Sequence, residues 1–395
     1  MFKQWIVYIG VLSFIWASPI KAQERDTTAL SEEKGGQMDT VLQRSADGKY
    51  LIDGMELNER QFRRYQKKLR KDSIRAQKNV WWSVFGGPSY TPEASFGVGG
   101  AVLASFKTNK RDSLLQRSFL PAGVNLSING TIVVAGAGTF FFNQNRFRIY
   151  VNYGYRNEPS HYYGRGMEKA EHTVRSDSTT HFHRSYFQLY PRFVWEVRPH
   201  LYVGGLFELN YTRATDINPL MAQDDYYRQF EREGSNESKY FNVGLGGLIQ
   251  YDTRDDVATP TRGLLVGANF KVFGKYWGGD YNYELIELEY RQFQNVFRPR
   301  STLAWIAKSQ IGLGQIPFTE LPSFGSPFDL RGYYIGKYRD KSMAYGIVEY
   351  RHMFGSPASY KSGNFWAKCG FVAWVGTGTI GEDPFDWKKW KLNFG

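Results

Sequence analysis

The chain has 395 residues, 17% of them aromatic and 41 of them glycine, with a net charge of +12 and a mean hydropathy of −0.48. A single cysteine, Cys369, excludes an intramolecular disulfide framework, and beyond the N-terminus no apolar run reaches the ~18 residues a spanning helix requires. A chain rich in Tyr, Phe, Trp and Gly yet polar on average fits a transmembrane antiparallel β-barrel, whose strands alternate lipid-facing and lumen-facing residues; a large secreted β-sandwich or β-helix is the competing reading.

The first residues give a short n-region with Lys3, an apolar stretch from Trp5 to Ala17 and a small-residue site ending at Ala22. This is the layout of a secretory signal peptide, expected over 1–22, with an N-terminal anchor as the alternative. A polar Ser/Thr/Glu/Gly segment follows to about residue 45. Asn58 and Gln61 then have the spacing of a capping box. Nine Arg and Lys residues lie between Arg60 and Lys78, while Phe62, Tyr65 and Leu69 share one helical face. The expected helix is basic and amphipathic. Arg63, Arg64, Lys67, Lys68, Arg70 and Lys71 are its candidate contacts with a membrane surface or a partner protein, a solvated linker helix being the plain alternative. Trp81 and Trp82 suit the membrane interface. The segment 23–79 is expected to be periplasmic and 80–395 to form the barrel.

Beyond residue 80 the period becomes two. In RFRIYVNYGY, Phe147, Ile149, Val151, Tyr153 and Tyr155 oppose Arg146, Arg148 and Asn152; in ELIELEYRQ, Ile286, Leu288 and Tyr290 oppose Glu287, Glu289 and Arg291. A charged face is costly in a sandwich core but ordinary in a wet lumen. Strands are expected near 83–91, 94–106, 117–129, 131–142, 146–158, 183–197, 201–213, 240–254, 263–276, 281–296, 301–314, 342–354 and 364–376, with a fourteenth from about 388. Brief turns, at Asn129–Gly130 and Arg198–His200, are assigned to the periplasmic end and the long loops 159–182 and 214–239 to the outside.

Two motifs stand out: YDTRDDVATPTRG (Tyr251–Gly263), between the eighth and ninth strands, and LRGY (Leu330–Tyr333), after the eleventh. In this order and spacing the chain resembles the bacterial surface-antigen family of outer-membrane assembly barrels, the BamA/TamA type, over roughly residues 80–395. The resemblance implies a sixteen-stranded barrel that assists insertion or translocation of outer-membrane proteins through a lateral seam, with a sixth loop folded into the lumen. It implies that Arg331 of Leu330-Arg331-Gly332-Tyr333 meets an acidic residue of the inner wall. Period two makes Glu349 a candidate partner, since Glu349 and Arg351 face inward. Asp252, Arg254 and Asp255 are expected to form an ion-pair cluster at the turn, shaped by Pro260 and Gly263.

Three departures from the family pattern are visible. Ala373 in FVAWVG stands where the family carries an Asp. The 57 residues between Ala22 and Val80 leave no room for a POTRA module, so a member lacking POTRA domains is expected. The chain also ends at KKWKLNFG, where the family continues for about two strands, and an incomplete C-terminus is expected.

Signals for chemistry are weak. There is no Gly-x-Ser-x-Gly elbow and no phosphate loop. His183-Arg184-Ser185 has the spacing of the nucleophile pair of an outer-membrane phospholipase without its surrounding motif. His172, His181 and His183 read as exposed loop residues rather than as metal ligands. No enzyme activity, cofactor, metal or nucleic-acid partner is expected; lumen arginines and the basic helix explain the charge. The expected partners are outer-membrane lipids, client outer-membrane proteins and envelope lipoproteins. A structural scaffold or pore in an envelope complex is the alternative function.

Overall fold

The computed structural model describes residues 43–44, 50–52, 55–77, 79–91, 95–232, 236–257, 259–297, 300–326, 329–355, 365–384 and 389–395. The expected signal segment, residues 1–22, lies outside them. Three short strands, Gln43–Arg44, Tyr50–Ile52 and Met55–Leu57, form a small sheet that leads into helix α1 (Glu59–Gln77). The helix begins at a reciprocal cap. The Gln61 amide donates to Asn58 Oδ1 at 2.9 Å, and the Asn58 amide donates to Gln61 Oε1 at 3.0 Å. Phe62 stacks on Tyr50 at 3.9 Å.

Fourteen strands follow in one antiparallel sheet, each paired with its neighbours in sequence. They are β1 (Val80–Thr91), β2 (Ser95–Phe106), β3 (Ser118–Ser127), β4 (Ile132–Phe142), β5 (Phe147–His161), β6 (His181–Arg198), β7 (Leu201–Thr215), β8 (Ser238–Asp252), β9 (Gly263–Phe273), β10 (Tyr283–Asn295), β11 (Ser301–Gly314), β12 (Ser342–Met353), β13 (Gly370–Gly381) and β14 (Lys391–Phe394). Among the described residues β1 pairs only with β2, and β14 only with Val375–Gly378 of β13. No described helix is long and apolar enough to cross a membrane.

The burial pattern is that of a soluble protein turned inside out. Large apolar side chains such as Val84, Phe193, Trp195, Ile249, Val266, Leu288 and Val375 are exposed on one face, whereas Arg148, Glu208, Asp252 and Glu349 are buried on the other. An apolar face left open is stable only against lipid, and a buried charge only when paired. Arg148 on β5 reaches Asp252 on β8 at 3.5 Å. Those strands would lie about 14 Å apart on a flat sheet, so the charged face is the concave one. Lys271 on β9 likewise meets Glu208 on β7 at 2.8 Å, and Lys308 on β11 meets Glu287 on β10 at 2.8 Å.

One end of the sheet carries the long connections 162–180, 216–237 and 315–341. Strand alternation places the Asn129–Gly130 turn at this same end, not at the opposite end as its brevity suggested. Loop length here varies around the rim: connections among β1–β4 are short and those from β5 to β12 are long. The opposite end holds the 107–117 connection, longer than a hairpin turn.

The long loops pack on one another through two buried clusters. The first gathers Tyr162, Phe182, Ile217, Met221, Tyr227, Phe230, Tyr240 and Phe318; the second gathers Tyr163, Met167, Phe324, Leu330, Tyr338, Met343 and Ile380. Phe318 is fully buried and its ring meets Tyr162, Phe182 and Tyr227 edge-on at 5.3–5.7 Å. Phe318→Ala is expected to cost about 3–5 kcal/mol, seen as a lower transition temperature of heat-modifiable electrophoretic migration. An unchanged transition would show that the cluster does not stabilise the barrel.

Candidate functional site

The LRGY segment lies inside the concave face. Arg331 Nη2 donates to Glu349 Oε2 at 2.6 Å, and its guanidinium stacks over Trp374 at 4.6 Å. Glu349 is 4% exposed and also accepts from Arg351 Nε at 2.5 Å, so one wall carboxylate receives two arginines. Such charge-assisted bonds are stronger than neutral ones. Leu330 is fully buried in the second cluster, and a Cβ added at Gly378 would fall 2.3 Å from its Cδ1. The missing side chain of Gly378 is therefore the seat of Leu330. Gly332 has φ +93° with open space around it, so its backbone angle, rather than crowding, requires glycine. The Tyr333 hydroxyl donates to Leu392 O at 2.7 Å, and Asn393 Nδ2 donates to Arg331 O at 3.1 Å. The loop tip thus touches β12, β13 and β14.

Register explains what stands in place of the family's aspartate. Glu349 pairs with Trp374, whereas Ala373 pairs with Tyr350 on the outer face. The inward position next to Arg331 is the indole, and the acid that meets Arg331 comes from β12.

The second fixing point of this loop is Arg339, which sequence reasoning missed. It is 7% exposed and donates to the carbonyls of Gly336 at 3.0 Å, Phe318 at 3.2 Å and His161 at 3.4 Å. Burial draws its pKa down to about 10, which leaves it charged at neutral pH. Next to it, Asp340 meets Arg165 at 3.3 Å, and Gly166 N donates to Arg339 O at 3.0 Å. The 162–180 loop, with its short helix α2 (Met167–His172), is thereby bound to the 315–341 loop. The only signal available was an Arg-Asp pair ahead of a strand, which in isolation reads as surface.

At the opposite end, Arg254 grips Asp252 with two bonds, Nε to Oδ1 at 2.8 Å and Nη2 to Oδ2 at 3.1 Å. Asp255 takes no part in that pair. It accepts from Thr261 N at 2.9 Å, Thr261 Oγ1 at 2.6 Å and Arg262 N at 3.2 Å. Pro260 is buried and Gly263 has φ +103°. Arg148, beside Tyr202, ties the turn to the wall through Asp252.

Arg63, Arg64, Lys67 and Arg70 are exposed on α1; the side chains of Lys68 and Lys71 lie outside the described residues. His183 and Ser185 lie on β6, not on a loop, and both hydrogen-bond to Asn157 Oδ1, at 2.9 and 2.7 Å. His172 Nδ1 bonds to Glu168 O at 2.8 Å. Among the described residues, no three His, Cys, Asp or Glu side chains cluster as a metal site would need.

Gly378→Val is expected to expel Leu330 and destabilise the barrel by about 1–3 kcal/mol. Leu330→Ala should then cost less in the Gly378→Val background than alone, measured by urea unfolding in lipid vesicles. Additive effects would mean that the two residues do not share the seat.

Comparison with known proteins bears on the fold and the family. The Omp85 superfamily domain matches residues 96–376. Among solved structures, BamA from Haemophilus ducreyi lacking POTRA domains 1–3 aligns with a TM-score of 0.50 at 12% identity, covering 75% of this chain and 57% of that one. CdiB from Acinetobacter baumannii aligns at 0.45 and 9% identity, covering 80% and 52%; CdiB from Escherichia coli aligns at 0.47 and 12%, covering 79% and 54%. The chain therefore spans little more than half the length of these structures, and at such identities the likeness concerns the fold. No curated protein matches by sequence. The domain match runs from β2 into β13 and takes in both motifs, and on that footing the chain belongs to the Omp85 superfamily of outer-membrane β-barrels.

Proposed function

We propose that this barrel assists the insertion or translocation of outer-membrane proteins by lending the edge of its first strand to a client strand. The observation that carries the reading is the state of β1. Among the described residues it pairs only with β2, and its middle is Gly86-Gly87-Pro88, two residues of low strand propensity and one that lacks an N–H. An open strand edge is a template for a further strand, with backbone hydrogen bonds giving affinity. The long loops over β5–β13, by contrast, pack on one another through the two buried clusters, which favours the edge over the lumen as the route. The loop held by Arg331 and Glu349 would keep the wall in shape while the edge exchanges partners. On this reading residues 1–22 are a cleaved signal, 23–79 a periplasmic segment and 80–395 the outer-membrane barrel.

A second reading rests on α1. Its exposed Arg63, Arg64, Lys67 and Arg70 form a cationic surface suited to an envelope lipoprotein or to anionic headgroups, as a scaffold would need. The two readings separate in a cross-linking experiment. In the full-length gene product with Cys369→Ser, a cysteine at position 83 is paired with one in the last barrel strand, and outer-membrane protein assembly is followed. Insertion through the edge requires assembly to stop when the disulfide forms and to resume on reduction. Normal assembly with the edge locked would contradict it. Partners that co-purify and are lost on deletion of 60–78 would then establish the scaffold.

A further inference from the structure

The outer face of β5–β8 shows a depth sequence that neither motif involves. Cross-strand pairing places Tyr153, Leu189, Leu209 and Val243 in one row, aliphatic in three of its four members. Two residues further toward the long-loop end, Tyr155, Phe187, Tyr211 and Phe241 form a row made wholly of aromatics. Two residues beyond that, the row is Asn157, Ser185, Arg213 and Lys239. Aliphatic, then aromatic, then polar and cationic is the order in which a barrel crosses from hydrocarbon through the interface to the headgroups. Each two-residue step rises about 5 Å along a tilted strand. The polar row is therefore at headgroup depth, and in a barrel of this kind the long loops face outside the cell.

The chemistry of that row is specific. Arg213 holds Glu237 through Nε at 3.3 Å and Nη2 at 3.0 Å, and Arg232 approaches the same carboxylate at 3.5 Å. Lys239 is exposed above the face of Tyr211 at 6.0 Å. Two arginines thus share one carboxylate, and Lys239 adds a third cation to the patch. Asn157, fixed through its Oδ1 by Ser185 and His183, keeps its amide nitrogen as a donor. Four adjacent strands span about 14 Å, the breadth of a headgroup rather than of a single ion. A guanidinium, an ammonium and an amide donor on one line match the several acceptor oxygens of a phosphate. The aromatic row directly beneath supplies the surface on which the glycerol or sugar and the first acyl carbons would lie.

We propose that Asn157, Ser185, Arg213 and Lys239 form a binding site for a phosphorylated outer-leaflet lipid headgroup. The site fixes one annular lipid against β5–β8, away from the β1 edge, and it stands whether or not the barrel inserts clients.

The test uses the full-length protein in neutral detergent, titrated with diphosphorylated lipid A, with dephosphorylated lipid A and with inorganic phosphate. Arg213→Gln/Lys239→Gln is expected to lower affinity for the phosphorylated lipid at least tenfold and to leave the weak binding of the dephosphorylated lipid unchanged. Inorganic phosphate at millimolar concentration should not displace the lipid. Unaltered lipid affinity in the double variant overturns the proposal. So does full displacement by inorganic phosphate, which would mark a plain anion site. Heat-modifiable migration checks folding. If the double variant does not fold, the exposed Lys239→Gln alone decides: a severalfold loss supports the site, and none overturns it.

Discussion

A chain that crosses lipid as strands must satisfy every backbone donor and acceptor within its own sheet, and it must find a partner for every charge it turns away from the lipid. The rest of the structure depends on meeting both demands at once. Fourteen strands in sequential antiparallel order meet the first everywhere but along the outer edges of the two terminal strands of the sheet. The second is met on the concave face by pairs that cross from strand to strand, Lys271 with Glu208, Lys308 with Glu287 and Arg148 with Asp252, and by Glu349, which takes Arg331 from the loop and Arg351 from its own strand. None of these carboxylates stands alone, and each pair ties segments that backbone bonds do not join directly or adds to those that they do.

The 315–341 loop extends this logic from the wall to the mouth. It is held at its tip by Arg331 on Glu349 and by Leu330 in the space above Gly378, and at its return by Arg339 on three backbone carbonyls. Phe324 ahead of the tip packs its ring on those of Tyr333 and Tyr338, which lie between the two points. A loop anchored in this way acts as a brace across β12–β14. Its neighbour, the 162–180 loop, is fastened to it through Arg165 and Asp340.

Much of this was legible in the sequence because the alternation of period two is strong wherever both faces are specified. Glu287, Glu289 and Arg291 against Ile286, Leu288 and Tyr290 fix both the strand and its inner face. The pairing of Arg331 with Glu349 was reachable because the motif named one partner and parity the other. What was not legible depended on register between strands. Whether Ala373 or Trp374 faces Arg331 is settled by the pairing of Glu349 with Trp374, which no local pattern encodes. The same holds for the row from Asn157 to Lys239, whose members lie on four strands. Arg339 was missed for a different reason: its partners are backbone carbonyls, which leave no mark in side-chain composition. The Asn129–Gly130 turn was assigned to the wrong end because brevity was taken as the guide, whereas the loops among β1–β4 are short on the long-loop side as well.

An inward ion pair holds the loop to the wall. A double-mutant cycle of Arg331→Ala and Glu349→Ala, read from urea unfolding in lipid vesicles, tests this directly. A favourable coupling of about 1–2 kcal/mol is expected, with Arg331→Ala nearly silent once Glu349 is gone. Strictly additive effects would contradict it, and would mean that Arg331 is held by Trp374 and the surrounding packing rather than by charge.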